Sequence, residues 1–377
     1  MKKQTYYASF ILILLLLVVK NPLFAQKESH KNGDDKEEIK RLTKLGGWID
    51  VQYRFEQDAG MQNSIVQIRR ARFDYRGSLS KFADFRFQVD FAPNPRLIDA
   101  YAKLNFNNYL QLQVGQFKIP FSLENKLSPL DLELIDNAQI ISALAGYKDV
   151  TGIANYANGR EIGAMVTGNL VYTIVGNEKI ALVSYGLGLF GGNGINVKTD
   201  NLAKDVSARI EFCPFIRNMT LSASGYWGNY EMLYTNSPTG MNGTRDRYAL
   251  GLQYVDNHWM IRAEYLKGKT SFVSYDESDG MFTPYNVETQ GCYLTTRYWF
   301  FFNNRQSGSF RQKISPMIRV EYYEKNMTDN ASSMFYSTGV DWWKNEHLRF
   351  QLAYAVQQKQ LSTQLGHTLT TMITAKF

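Results

Sequence analysis

The feature that most limits the fold is a two-residue alternation of apolar and polar side chains. It begins near Leu45 and recurs to the last residue. In Ile49-Asp50-Val51-Gln52-Tyr53-Arg54-Phe55-Glu56 every odd position is apolar and every even one polar. Phe85, Phe87, Val89 and Phe91 alternate with Arg86, Gln88 and Asp90, and Leu369 to Phe377 repeats the pattern. Strict alternation gives a strand one face for an apolar medium and another for water. Alternation and turn signals predict about sixteen strands, over 45–57, 64–77, 83–92, 97–107, 109–120, 159–170, 180–191, 203–213, 217–229, 245–256, 258–270, 287–301, 313–325, 333–344, 347–358 and 367–377.

The connectors are short and long in turn. Asn107-Asn108, Pro214 to Ile216, Asp256 to His258 and Lys344 to Glu346 are short; Ser122 to Asn158, Tyr230 to Thr244 and Thr270 to Asn286 are long. A soluble sandwich gives no reason for that asymmetry, and no repeat of propeller length is present. A membrane-spanning antiparallel β-barrel gives one: short periplasmic turns, long extracellular loops, and strands of roughly 9–11 residues across the bilayer. The expected class is therefore all-β, a barrel over 45–377 in the outer membrane of a Gram-negative bacterium, in contact with lipid. Tyr53, Phe55, Phe73, Tyr75, Trp259, Tyr265, Tyr298, Tyr322, Trp342 and Tyr354, near strand ends, are expected in interfacial girdles. A large water-soluble β-protein is the competing reading.

The start of the chain agrees with export. Lys2 and Lys3 precede an apolar run from Phe10 to Val19, a break at Asn21-Pro22 and a small residue at Ala25. This predicts a signal peptide over 1–25. Removing it leaves 352 residues and lowers the formal charge from +7 to +4, so the sequence gives no reason to expect nucleic acid as a partner. Residues 26–44 are almost all charge and are expected to form a periplasmic linker or short helix. Cys213 and Cys292, in an oxidising compartment and with no metal-binding spacing, are expected to be unpaired and buried. No cofactor is implied.

On this parity the lumen receives fourteen basic and eleven acidic side chains. Opposite charges on neighbouring strands can pair along the wall, while a local excess of Arg would concentrate anions. Arg70, Arg72 and Arg76 share one face of one strand with only Asp74 to offset them, and the guanidinium fork suits phosphate. The candidate pore-lining, anion-binding residues are Arg70, Arg72, Arg76, Arg86, Lys103, Lys118, Arg209, Arg262, Arg297 and Arg319. The connector 122–158 has an apolar side through Leu127, Leu130, Leu132, Leu134, Ile135, Ile140, Ile141 and Leu144. A loop of that length is usually functional, here as a constriction folded into the pore, with an external lid or an intersubunit latch as the competing readings.

The order RRARFDYRG (69–77), IDAYAKL (98–104), VGQFKIPFSLE (114–124), GREIG (159–163), LFGGNGINVKTDNLAKDVSARIEFCPF (189–215) and IRVEYYE (318–324) resembles the phosphate-selective porin O and P family. The resemblance covers roughly 45–377 and implies a sixteen-stranded outer-membrane barrel. It further implies a homotrimer that conducts small anions such as phosphate by diffusion. Arg70 and Arg72 match the family's arginine-rich second strand; Lys118 matches its GQFK element, with placing the third loop or binding as its two roles. No cluster of Lys matches a central site. The terminal Phe377 looks like the signal read by the barrel-assembly machinery.

The sequence is compatible with three function classes. The leading one is an outer-membrane porin for passive diffusion of small hydrophilic solutes, anions above all, through an Arg-lined pore. The second is an enzyme, disfavoured because none of the four His follows a nucleophile motif. The third is a structural or surface-display barrel with a blocked or non-selective lumen.

Overall fold

The computed structural model describes residues 43–58, 60–145, 159–175, 178–198, 204–214, 218–232, 241–276, 281–302, 312–329 and 331–377 of the chain. The expected leader, the charged segment up to residue 42 and residues 146–158 of the longest connector lie outside them.

Alternation becomes a single antiparallel sheet. Its strands are β1 (Lys44–Asp58), β2 (Met61–Ser80), β3 (Ala83–Asp90), β4 (Arg96–Asn107), β5 (Leu110–Lys118), β6 (Arg160–Val175), β7 (Glu178–Phe190), β8 (Asp205–Phe212) and β9 (Met219–Met232). The second half adds β10 (Met241–Val255), β11 (Trp259–Asp276), β12 (Met281–Tyr298), β13 (Phe300–Phe302), β14 (Gln312–Glu324), β15 (Ser332–Trp343), β16 (Leu348–Lys359) and β17 (Leu365–Lys376). Apart from β12 and β13, each strand pairs with the next in sequence, and β17 returns to β1 in a ladder from Trp48↔Lys376 to Gln57↔His367. The sheet is thus closed and has no free edge. β13 continues β12 beyond Trp299, and both pair with β14, so the wall has sixteen positions. Among the described residues no helix is long and apolar enough to cross a membrane; the crossing is made by strands.

The outer surface is apolar. Ile49, Val51, Leu250, Leu294, Ile318, Val340, Leu352 and Ile373 are exposed on it, whereas their sequence neighbours Asp50, Arg319, Asp341 and Thr374 are at most 1% exposed. Tyr53, Phe73, Tyr75, Trp259, Tyr265, Trp342 and Tyr354 are also exposed. Trp259 lies edge-on to Tyr298 near the Asp256–His258 turn, and Trp342 stacks on Phe350 near the Lys344–His347 turn. Rings at that level suit the boundary between acyl chains and water.

Four details depart from the alternation. The connectors expected at 230–244 and 270–286 are largely strand: β9 and β10 pair out to Met232↔Met241, and β11 and β12 to Asp276↔Met281. Beyond the bilayer both faces are wet, so a hydrogen-bonded hairpin continues without an apolar stripe to reveal it. In β2 a bulge sets both Arg69 and Arg70 against Asp50, and in β4 another leaves Ile98 without a partner between Leu97 and Asp99. Ile98 is consequently buried, not on the outer face that its parity predicts. Cys292 is exposed on the outer surface and Cys213 half-buried; both are free thiols, but neither is buried as expected, because a thiol is apolar enough to face lipid.

The buried apolar core is supplied by the β5–β6 connector rather than by a second sheet. Phe121, Ile140, Ile141, Ala143 and Leu144 cluster with the inward side chains Phe117, Phe190, Tyr226, Ala249, Leu266 and Tyr293. Helix α1 (Gln139–Leu144) contributes four of these buried residues or their neighbours, and packs against β11, β12 and β14. A barrel of this size would otherwise hold only water there.

Candidate functional site

The inward charges divide into two sets. The first, on β10 to β16, holds the connector. Glu264 accepts hydrogen bonds from the Leu123 and Glu124 amides at 2.7 and 2.8 Å, from the Ser122 hydroxyl at 3.1 Å and from the Tyr293 hydroxyl at 2.6 Å. Arg262 pairs with Glu133 at 2.8 Å. Arg297 donates to the Leu132 and Glu133 carbonyls, Arg349 to those of Leu130 and Leu132, and Arg247 to that of Leu144. Arg319 donates to the Asp136 carbonyl at 3.0 Å and pairs with Glu124 at 3.3 Å. Burial works against the Glu133 carboxylate, but Arg262, Arg297 and Arg319 outweigh it and hold it below the usual carboxylate range. Breaking one such buried pair from one side costs about 3–5 kcal/mol, because the partner charge is stranded. Lys118, on the first half of the wall, also serves the loop: its ammonium donates to the Asn125 and Leu127 carbonyls.

The second set lies on β1 to β6. Arg70 pairs with Asp50 at 3.1 Å, and Arg72 with Asp90 at 2.9 Å beneath the ring of Trp48. Arg86 bridges Asp74 and Asp99, and Arg160 reaches Asp99 at 2.6 Å. Arg54 and Arg69 share the loop carboxylate Asp136, at 2.6 and 2.7 Å. Arg76 is different. It stands directly opposite Lys44 on one side and Arg86 on the other, it is exposed to the lumen, and among the described residues it has no ion pair. Like charges opposite one another in a sheet are unfavourable.

Three spaces lie between the loop and the wall, the first against β1 and β14 to β17, the other two mainly against β1 to β8. The first, of about 510 Å³, has Arg54, Arg319 and Lys325 against Glu56, Asp58, Asp136 and Glu321. The middle one is small, about 200 Å³, and is lined by Arg54, Arg69, Arg70, Arg72, Lys118 and Arg160 with one acid, Asp136. The third, about 830 Å³, carries nine basic side chains, among them Lys44, Arg76, Lys126, Arg209 and Lys376, against Asp74, Asp99 and Asp131. Neighbouring spaces share lining residues: Arg54 and Asp136 border the first two, Arg72, Lys118 and Arg160 the last two.

Seven of the ten residues singled out in the sequence thus line this passage: Arg70, Arg72, Arg76, Arg86, Lys118, Arg209 and Arg319. Arg262 and Arg297 are buried beneath the loop, and Lys103, opposite Asp84 and Gln113, borders none of the three spaces. Arg69, Arg160, Lys126 and Lys44 were missed. The one signal for Arg69 was the polar pair Arg69-Arg70, which interrupts the alternation where the bulge sits.

A family model for phosphate-selective porins O and P matches residues 43–376. The chain belongs to that family. It is accordingly a porin of the bacterial outer membrane, a channel for passive diffusion. No curated protein is similar to it in sequence. Among solved structures, the anion-selective porin from Comamonas acidovorans superposes with a TM-score of 0.59 at 14% identity, over 89% of this chain and 99% of that one. A loop L8 deletion mutant of the Vibrio cholerae outer membrane protein OmpT gives 0.59 at 9% identity, with the same coverage. The outer membrane channel DcaP of Acinetobacter baumannii gives 0.54 at 13% identity, over 89% of this chain and 97% of that one. At these identities the likeness is one of fold.

The porin's GQFK element has a structural reason in two of its residues. Lys118 holds the loop, and Gly115 has φ +130°, where any Cβ would stand 2.1 Å from the Ala100 carbonyl oxygen. Phe377 exchanges backbone hydrogen bonds with Gly47 at 3.0 and 3.1 Å, and its ring lies over that glycine.

Proposed function

We propose that this porin passes small anions, oxyanions such as phosphate above others, and that the β5–β6 loop sets its size limit. The carrying observation is the lining of the narrow middle space, six basic side chains against one acidic. In a low-dielectric wall such a ring raises the local anion concentration. The acids behind it are part of the design. Asp50, Asp90 and Asp99 each take one edge of a guanidinium and temper its pull, so that an anion enters readily and still leaves, as conduction requires. Arg76, with Lys44 and Lys376, extends the positive track into the widest space.

One structural relative is described as an anion-selective porin and another as a trimer form. Both support reading this chain as an anion channel assembled from three copies. Reversal potentials in planar bilayers under a potassium chloride gradient test the selectivity. Wild type is expected to favour chloride, and Arg76→Glu to move the potential toward potassium. A cation-selective wild-type pore overturns the reading, and an absence of conductance favours a blocked barrel.

A further inference from the structure

Among the described residues, Asp136 is the one acid that borders the narrow middle space. The acids on the first half of the wall stand beside or behind the guanidiniums. Asp90, for example, has a wholly buried side chain behind Arg72. The Asp136 side chain is 42% exposed and enters the narrow space from the loop. It gives one oxygen to Arg54 at 2.6 Å and the other to Arg69 at 2.7 Å, with those side chains 26% and 20% exposed. Two oxygens on one central atom, each taken by a separate guanidinium, is the arrangement that an oxyanion such as phosphate would adopt in the same place.

The seat of the loop does not depend on that contact. The backbone carbonyl of Asp136 is held by Arg319 at 3.0 Å, the next amides are tied through Asn137 and Ala138 to Glu124, and Gln139 to Glu321. The carboxylate is therefore able to leave the two guanidiniums while the loop stays where it is. Arg54 has a second partner, Glu56 at 2.5 Å, that steadies it when Asp136 is away. With the three side chains 20–42% exposed, water reaches the pair and can take over its hydrogen bonds as the carboxylate leaves.

Building on the anion pathway above, we propose that Asp136 is a built-in competitor for the anion site of the narrow space. At rest its carboxylate occupies the Arg54–Arg69 pair; a permeating oxyanion displaces it and takes both guanidiniums. The competition sets an upper limit on how tightly an oxyanion is held, and so keeps release fast. The crowding of the lumen raises the Asp136 carboxyl, but Arg69 and Arg54 pull harder and hold it well below the usual carboxylate range, so the competitor stays charged at neutral pH.

The test uses the full-length porin in planar bilayers, with inorganic phosphate titrated against a chloride current. Asp136→Asn keeps the shape and the backbone bond to Arg319 and removes the charge. The half-blocking phosphate concentration is expected to fall about tenfold. Arg54→Gln in the same background is expected to return it most of the way. A wild-type pore that prefers anions together with an unchanged or weaker phosphate block in the variant overturns the proposal and leaves the pathway standing. A several-fold rise in conductance without tighter block also overturns it, showing Asp136 to be a strut for the loop. A wild-type pore insensitive to phosphate removes the pathway and the competitor with it.

Discussion

Replacing Glu264 by Leu takes away the carboxylate that receives the Leu123 and Glu124 amides at the start of the loop. Its two oxygens now accept from the amides of Leu123 and Glu124 and the hydroxyls of Ser122 and Tyr293. The hydroxyls can rotate to other partners, and Ser122 keeps its place without Glu264: its hydroxyl oxygen accepts from the Asn125 amide at 3.3 Å, its amide donates to the Ser224 hydroxyl and its carbonyl is held by Arg209. The two amides cannot turn. Each buried donor left unmet costs about 1–3 kcal/mol, so the seated form of residues 122–125 loses about 2–6 kcal/mol. At about 1.4 kcal/mol per factor of ten, this is roughly a 30-fold to 10⁴-fold increase in local opening. Farther along, Arg247, Arg297, Arg319 and Arg349 still hold the loop, so the release stays local. Hydrogen exchange in detergent micelles reads it directly: the Leu123 and Glu124 amides are expected to exchange at least about 30-fold faster, with α1 unchanged. If those two amides stay as protected as in wild type, or if α1 is released with them, the account of how the loop is fastened is wrong.

Two further outcomes follow from the geometry. Asp136 and Glu133 are both held below the usual carboxylate range, so the ion pairs they make are fully present above that range and are lost only as pH falls through their lowered values. The Asp136 and Glu133 carboxylates are therefore expected to stay ionised between about pH 5 and pH 7, followed by their carboxyl-carbon NMR shifts, and a midpoint of either group there would show that its pair lacks the partners assigned. Gly47→Leu sets a side chain where a Cβ already stands 2.2 Å from the Arg72 carbonyl oxygen and 2.6 Å from the Phe377 ring. It is expected to spoil the β1–β17 closure, measured as loss of the heat-modifiable band on a gel. Wild-type migration would mean that the terminal ring has no need of that glycine.

The barrel was legible because lipid and water impose opposite demands on successive residues, and the chain answers both. Strand β14 illustrates this: Ile318 and Val320 face out, Arg319 and Glu321 face in, as their parity requires. Legibility failed where that demand lapses. The upper parts of β11 and β12 are paired strand without a stripe, and at the β2 bulge the backbone re-aims Arg69 toward the loop. The candidate site was half visible. Composition marked Arg70, Arg72 and Arg76 as an unusual run, yet nothing in one strand tells which guanidiniums face the passage and which are covered. That depends on where a connector more than thirty residues distant lies. Arg262 and Arg297 are as basic and as inward as Arg72, and they differ from it only in having Glu133 and its backbone above them.

The fastening of the connector also orders events in the making of the pore. The loop is encoded in the first half of the chain, between β5 and β6, but most of its clasps, Arg247, Glu264, Arg297, Arg319 and Arg349, arrive on β10 to β16. Until those later strands are in place, Glu124, Glu133 and the apolar face of α1 have neither counter-ions nor cover. Plugging of the lumen is thus among the last steps of assembly. An incomplete barrel is a wide, unfurnished trough, and the same contacts that narrow the finished channel also certify that its far wall has been built.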